Sequence, residues 1–139
     1  VLVPSRDVVV HALRFADGVA GWGVRCAGAP ATPVATAGGL FAVVDEQGCL
    51  RVHRADTGQA VAETTVSTGQ AAGVVLVPAA AATIAIVETG GTLTAIDLIT
   101  RAARFTLPTG DGNRSVPVAS GGLVCVGTAF GQLYGIVAP

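Results

Sequence analysis

An all-β chain built from repeated four-stranded antiparallel sheets, set side by side around an axis, is the fold this sequence predicts. Three observations carry it. Short apolar runs are broken every few residues by Gly or Pro, one run–turn–run pattern returns at intervals of 40, 43 and 40 residues, and charge is scarce between the turns. The 139 residues are 51% hydrophobic but only 4% aromatic, so the apolar mass is Val, Ala, Leu and Ile, with 19 Gly and 7 Pro as punctuation. β-Branched residues in short runs between such breakers favour strands.

The repeat is read first from Phe41-Ala-Val-Val-Asp45, Ile84-Ala-Ile-Val-Glu88 and Val124-Cys-Val-Gly-Thr128. Each apolar run enters a polar turn closed by a glycine, at Gly48, Gly91 and Gly131. A second strand follows each turn and carries Leu50, Leu93 or Leu133 at the same place. The chain's start fits the same frame, which makes Val1, Phe41, Ile84 and Val124 the expected equivalents. The segments from Ala31 and Ser115 supply innermost strands, and the pairs Gly38–Gly39 and Gly121–Gly122 turn the chain outward into the next strand.

A third feature follows each second strand. Its copies run Ala12 to Trp22, Val52 to Ala62 and Ala95 to Phe105. They resemble the A-x-D-x-x-T-G-x-x-x-W signature of PQQ-like propeller repeats, a family of quinoprotein alcohol dehydrogenase-like and BamB-like β-propellers. Copy one keeps Ala12, Gly18 and Trp22; copy two keeps Thr57 and Gly58 but has Arg54 where the Asp belongs; copy three keeps Ala95, Asp97 and Thr100, with Phe105 in place of Trp. The resemblance covers essentially the whole chain. Physically, the Thr-Gly or Asp-Gly pair suits a tight turn, because Gly adopts positive φ freely. The aromatic, expected at the end of the fourth strand, is a flat wedge between neighbouring blades.

The predicted fold is therefore a partial β-propeller of about three and a half four-stranded blades, at residues 1–22 (partial), 23–66, 67–109 and 110–139 (partial). The chain opens at a second strand and closes at a third, an open arc where propellers close with about four to eight blades. The expected neighbours are the remaining blades of one parent polypeptide or a second copy of this chain. No signal peptide is visible, and the start at Val1 reads as a processed product or an excerpt.

The chemistry sought is not found. Net charge is −1 and the eight basic residues, all Arg, are scattered, which argues against a nucleic-acid binder. The stretch Ala71 to Val87 is too short for a membrane span and divides into two strands and a turn. Cys26, Cys49 and Cys125 form no C-x-x-C and read as free thiols serving as small apolar residues. His11 and His53 lack a ligand set at metal spacing. Asp45 and Glu46 read as a solvated turn, while Asp111-Gly-Asn113 lacks the rest of a calcium loop and Asn113-Arg-Ser115 is a bare glycosylation sequon.

Some members of the resembled family are quinone-dependent dehydrogenases. Membership of that kind implies a Trp beneath the cofactor, often vicinal cysteines, and a cation set of Glu, Asn and Asp. This chain has no adjacent cysteines, one Trp (Trp22) at the repeat position and one Asn (Asn113) in a loop. No catalytic, cofactor-binding or metal residue is assigned. The expected function is a non-catalytic protein-binding, scaffolding or sensor module. The alternatives are a dehydrogenase segment whose cofactor residues lie outside this chain and a purely architectural element. The expected rim-loop contacts are Asp45, Glu46, Glu88 and Phe130, and the resemblance implies a bacterial setting outside the cytoplasm.

Overall fold

A computed structural model describes residues 1–66, 71–79, 83–110 and 115–137. Among them there are fourteen strands and no helix. The first sheet holds β1 (Leu2–Pro4), β2 (Val9–Leu13) and β3 (Ala20–Arg25). The second holds β4 (Ala35–Ala37), β5 (Leu40–Val44), β6 (Cys49–Arg54) and β7 (Ala60–Thr65). The third holds β8 (Gly73–Pro78), β9 (Thr83–Glu88), β10 (Thr92–Asp97) and β11 (Ala103–Pro108), and the fourth β12 (Val118–Ser120), β13 (Leu123–Gly127) and β14 (Leu133–Val137). Every sheet is an antiparallel meander in chain order. The stretch considered as a membrane span contributes β8 and β9, and no helix among the described residues is long and apolar enough to cross a membrane.

The first sheet runs on to Arg25, because Val9 and Val10 of β2 pair with Arg25 and Val24. The boundary expected at residue 22 therefore cuts a strand, and the sheet ends three residues later. Trp22 and Phe105 are each the third residue of a six-residue strand, not at its end as expected, since each strand begins two residues before the aromatic and runs three beyond it.

Three apolar seams join the sheets. Val10, Val24 and Cys26 of the first sheet and its exit pack on Phe41 and Val43. Ala42, Val44, Leu50 and Val52 pack on Val74, Leu76, Ala85 and Val87. Ile84, Ile86, Leu93 and Ala95 pack on Val124 and Val126. Successive strand residues point to opposite faces, so a sheet with a neighbour on each side must be apolar on both. β5 shows this directly, with Phe41, Ala42, Val43 and Val44 all at 0% exposure. Inner strands meet across the seams at close range: a Cβ on Gly73 of β8 would stand 2.8 Å from the Val116 backbone.

One expected equivalence is corrected. Phe41 and Val124 face the preceding sheet, whereas Ile84 faces the following one, and Ala85 takes the Phe41 role. The cause is a shorter turn. Leu93 pairs with Glu88 across four residues, while Leu50 pairs with Val44 and Leu133 with Gly127 across five. Losing one turn residue slides β9 by one, which exchanges its two faces.

The turns also explain two strained residues. The described non-glycine residues with positive φ are Val8 (63°) and Arg101 (60°). Val8 stands where Gly48 (74°) and Gly131 (77°) close the equivalent turn, and Arg101 where Gly18 (71°) and Gly58 (74°) do. The repeat imposes the backbone and the side chain pays with strain. A β-branched residue suffers most there, so Val8→Gly is expected to stabilise the chain by about 1 kcal/mol after glycine's own entropy cost. A urea midpoint that stays unchanged or falls contradicts this.

Candidate interaction surface

The seam between the first two sheets is built around one aromatic stack. The Trp22 indole on β3 lies against Phe41 on β5, centroids 5.6 Å apart and 18° between planes. Phe41 in turn stacks on His53 at 5.3 Å and 17°. Trp22 Nε1 donates to the Asp56 carbonyl at 3.0 Å. Gly58 sits beneath the indole, where a Cβ would come within 2.8 Å of Cε3. The repeat's glycine is thus required twice, for its positive φ and for the ring that occupies its space. His53 Nδ1 lies 3.0 Å from the Gly58 carbonyl, and burial pushes the imidazole pKa below its ordinary value.

The turns at one end of the sheets are held by side-chain acceptors. Asp45 Oδ1 accepts from the Gln47 and Cys49 amides at 3.1 and 3.0 Å, and Oδ2 from Arg51 Nε at 3.2 Å. Arg51 also reaches Glu63 at 2.8 Å. Glu88 accepts from the Gly90 and Gly91 amides at 3.1 and 2.8 Å. Ser5 and Thr128 occupy the same place and accept from Asp7 and Gln132. Asp45 and Glu88 are 1% and 0% exposed, which corrects the expectation that they face a partner or solvent. Their carboxylates are turned inward because the turn amides have no other acceptor. An oxygen-bearing side chain just before the turn in all four copies was the signal for this role.

The other expected residues fall as follows. Glu46 is exposed and Phe130 is 73% exposed, on turns at the same end of the sheets. Gly18, Gly58 and Arg101 close equivalent four-residue turns through their amides, with Thr57 and Thr100 beside them. Asp97 Oδ1 accepts from the Ile99 and Thr100 amides at 2.8 and 3.1 Å, and Oδ2 from Arg104. The Arg104 guanidinium holds the Asp97 carboxyl below the usual carboxylate range, assisted by those amides. In the earlier copies Arg14 and Arg54 pair instead with Asp17 and Asp56. Leu50, Leu93 and Ala95 are buried, Ala12 and Phe105 half-buried, and Leu133 is 75% exposed.

Cys26, Cys49 and Cys125 are free. Burial holds the Cys49 thiol protonated, its pKa pushed up to about 11, and raises that of Cys26. His11 pairs with Asp7 at 2.8 Å. Among the described residues no three His, Cys, Asp or Glu side chains converge as a metal-binding group. The calcium-like reading and the first two residues of the sequon fall on residues 111–114, outside the described residues.

Acid should weaken this structure in two stages. His53 has a folded pKa below its ordinary 6.5, so the unfolded chain takes the proton first. Stability contributed by neutral His53 is complete above that value and falls away below it. Asp97 is also depressed, so its share is complete above the ordinary carboxylate value and is lost progressively as pH drops from there through the folded value. His53→Asn is expected to remove the first stage from a plot of urea midpoint against pH; an unchanged plot contradicts the assignment.

The remaining surface feature is the outer side of the fourth sheet. Val124 and Val126 face the third sheet, so Leu123, Cys125 and Gly127 alternate outward. Register then places Val118 beside Cys125 and Gly135, Val137 beside Leu123, and Leu133 beside Gly127. Val118, Leu123, Leu133 and Val137 are 62%, 43%, 75% and 79% exposed, and among the described residues no charged side chain stands on this face. A cleft of about 560 Å³ lies between β14 and β11, lined by Phe105, Leu107 and Ile136 among others. Among the described residues the outer edge of β14 and the inner edge of β1 carry no partner strand, as holds for the first and last strand of every sheet.

Comparison with solved structures places this architecture. The chain matches BamB from Moraxella catarrhalis with a TM-score of 0.70 and 21% identity, over 98% of this chain and 42% of that one. The fold is a partial β-propeller. The chain also matches the computationally designed Ika4 protein (TM-score 0.73, 14% identity, 99% of this chain and 84% of that one). A chain of the mitotic checkpoint complex gives 0.79 at 9% identity, over 99% of this chain and 44% of that one. This propeller thus spans less than half of the BamB chain it resembles. No family model and no curated protein matches the sequence.

Proposed function

We propose that this partial propeller is a non-catalytic module that binds or scaffolds other proteins. The observation that carries the reading is the propeller architecture itself, which sets turns bearing the exposed Glu46 and Phe130 at one end of the sheets. An exposed aromatic on such a turn, Phe130 at 73%, is the kind of side chain that anchors protein contacts. The likeness in fold to BamB and to a chain of the mitotic checkpoint complex supports the same reading.

A photo-crosslinking residue at position 130 tests it in expressing cells. A protein adduct absent when the residue is placed at buried position 93 is expected; no protein adduct at 130 contradicts the proposal. Titration of the purified chain with pyrroloquinoline quinone, followed by Trp22 fluorescence and dye reduction, tests the non-catalytic half. Neither saturable binding nor turnover is expected, and either one favours the dehydrogenase reading instead.

A further inference from the structure

We infer that the seam between the first and second sheets opens in acid: a proton added to His53 parts Trp22 from Phe41 while the sheets themselves stay intact. The inference stands apart from the protein-binding reading above and begins from one position of the repeat. The same place after the turn residues Val8, Gly48, Gly91 and Gly131 holds Leu13, His53, Ile96 and Ile136. Ile96 and Ile136 pack into the seam with the sheet that precedes theirs. His53 does the same through its stack on Phe41, which stacks in turn on Trp22 of the first sheet. An aliphatic side chain therefore satisfies the packing elsewhere, and a titratable ring stands in this seam instead.

The ring is placed so that a second proton finds no acceptor. His53 Nδ1 lies 3.0 Å from the Gly58 carbonyl, which can only accept, so Nδ1 carries the hydrogen of the neutral ring. The added proton falls on Nε2, which makes no hydrogen bond among the described residues, in a residue 7% exposed. Burial already holds this imidazole below its ordinary value. The charged groups nearby are engaged with one another. Glu63 favours the protonated ring, but its carboxylate is bound to Arg51 at 2.8 Å. Arg51 opposes a second positive charge and is also bound to Asp45. On the adjoining turn Arg54 pairs with Asp56. The thiols of Cys49 on β6 and Cys26 beyond β3 are kept protonated by burial.

An imidazolium at this place needs water, and the seam is the weaker barrier to it. Within the second sheet β5, β6 and β7 are joined by backbone ladders. Across the seam the stack is joined by ring contacts and by the hydrogen bond from Trp22 Nε1 to the Asp56 carbonyl. Breaking that one bond admits solvent to His53, whereas parting the strands breaks many.

Trp22 is the chain's one Trp and reports the seam. Between about pH 8 and about pH 5, where histidine titrates, its emission maximum should move to the red and acrylamide should reach the indole more readily, with the far-UV circular dichroism unchanged. Emission wavelength and acrylamide access are read in place of intensity, because an imidazolium quenches indole directly. His53→Ile, which installs the residue of the third and fourth sheets, should keep the shielded emission throughout. If that variant lacks the native far-UV spectrum at the starting pH, His53→Leu replaces it, after Leu13 of the first sheet. A parent Trp22 equally shielded at both ends of the range overturns the inference. The same shift in the aliphatic variant also overturns it, by assigning the transition to another group. Far-UV signal lost in step with the Trp22 shift does so as well, since acid would then unfold the whole chain.

Discussion

Trp22→Ala is expected to lower the unfolding free energy by about 3–4 kcal/mol, within the range for truncating a packed aromatic. The size follows from what the indole touches. It stacks on Phe41, donates to the Asp56 carbonyl and rests on Gly58, so its loss opens a cavity across a seam between two sheets. The neighbouring stack of Phe41 on His53 then loses its outer layer. Trp22→Phe keeps the stacking and forfeits the hydrogen bond, at about 1 kcal/mol. Far-UV circular dichroism against urea measures both, since Trp22 is the chain's one Trp and its removal abolishes indole fluorescence. A loss below about 1 kcal/mol in the alanine variant would mean the stack does not join the sheets.

Glu88→Ala is the second large effect, with an expected loss of about 3–5 kcal/mol, since hydrogen bonds to a charged group are each worth about 1.5–3. Two turn amides, of Gly90 and Gly91, lose their acceptor in a site where the side chain is 0% exposed. The turn is one residue shorter than its counterparts, and the longer glutamate serves where Asp45 serves in the second sheet. Glu88→Gln keeps an acceptor oxygen and should cost less than half as much. Equal losses for both variants would place the effect in packing and not in the hydrogen bonds.

Much of this was legible in the sequence. The run–turn–run period placed the second and third strands of each sheet, because glycine closes a turn whose backbone demands positive φ. The aromatic of the third feature marked Trp22, whose stack on Phe41 joins two sheets. The facing of β9 was not legible: Ile84 and Phe41 look equivalent by spacing, and only the pairing of Leu93 with Glu88 reveals the slip. The burial of Asp45 and Glu88 was hidden because acidic residues at a turn ordinarily face water. Val8 and Arg101 were hidden for a related reason, since the strain lies in a backbone that the repeat dictates and those side chains resist.

The central claim is that the sheets stack side by side through equivalent residues. Urea unfolding of Leu50→Ala and Leu93→Ala tests it most directly. Both leucines fill seams at 1% and 0% exposure, and each truncation is predicted to cost about 2–5 kcal/mol. A cost below about 1 kcal/mol at either position, with the other costly, would contradict it.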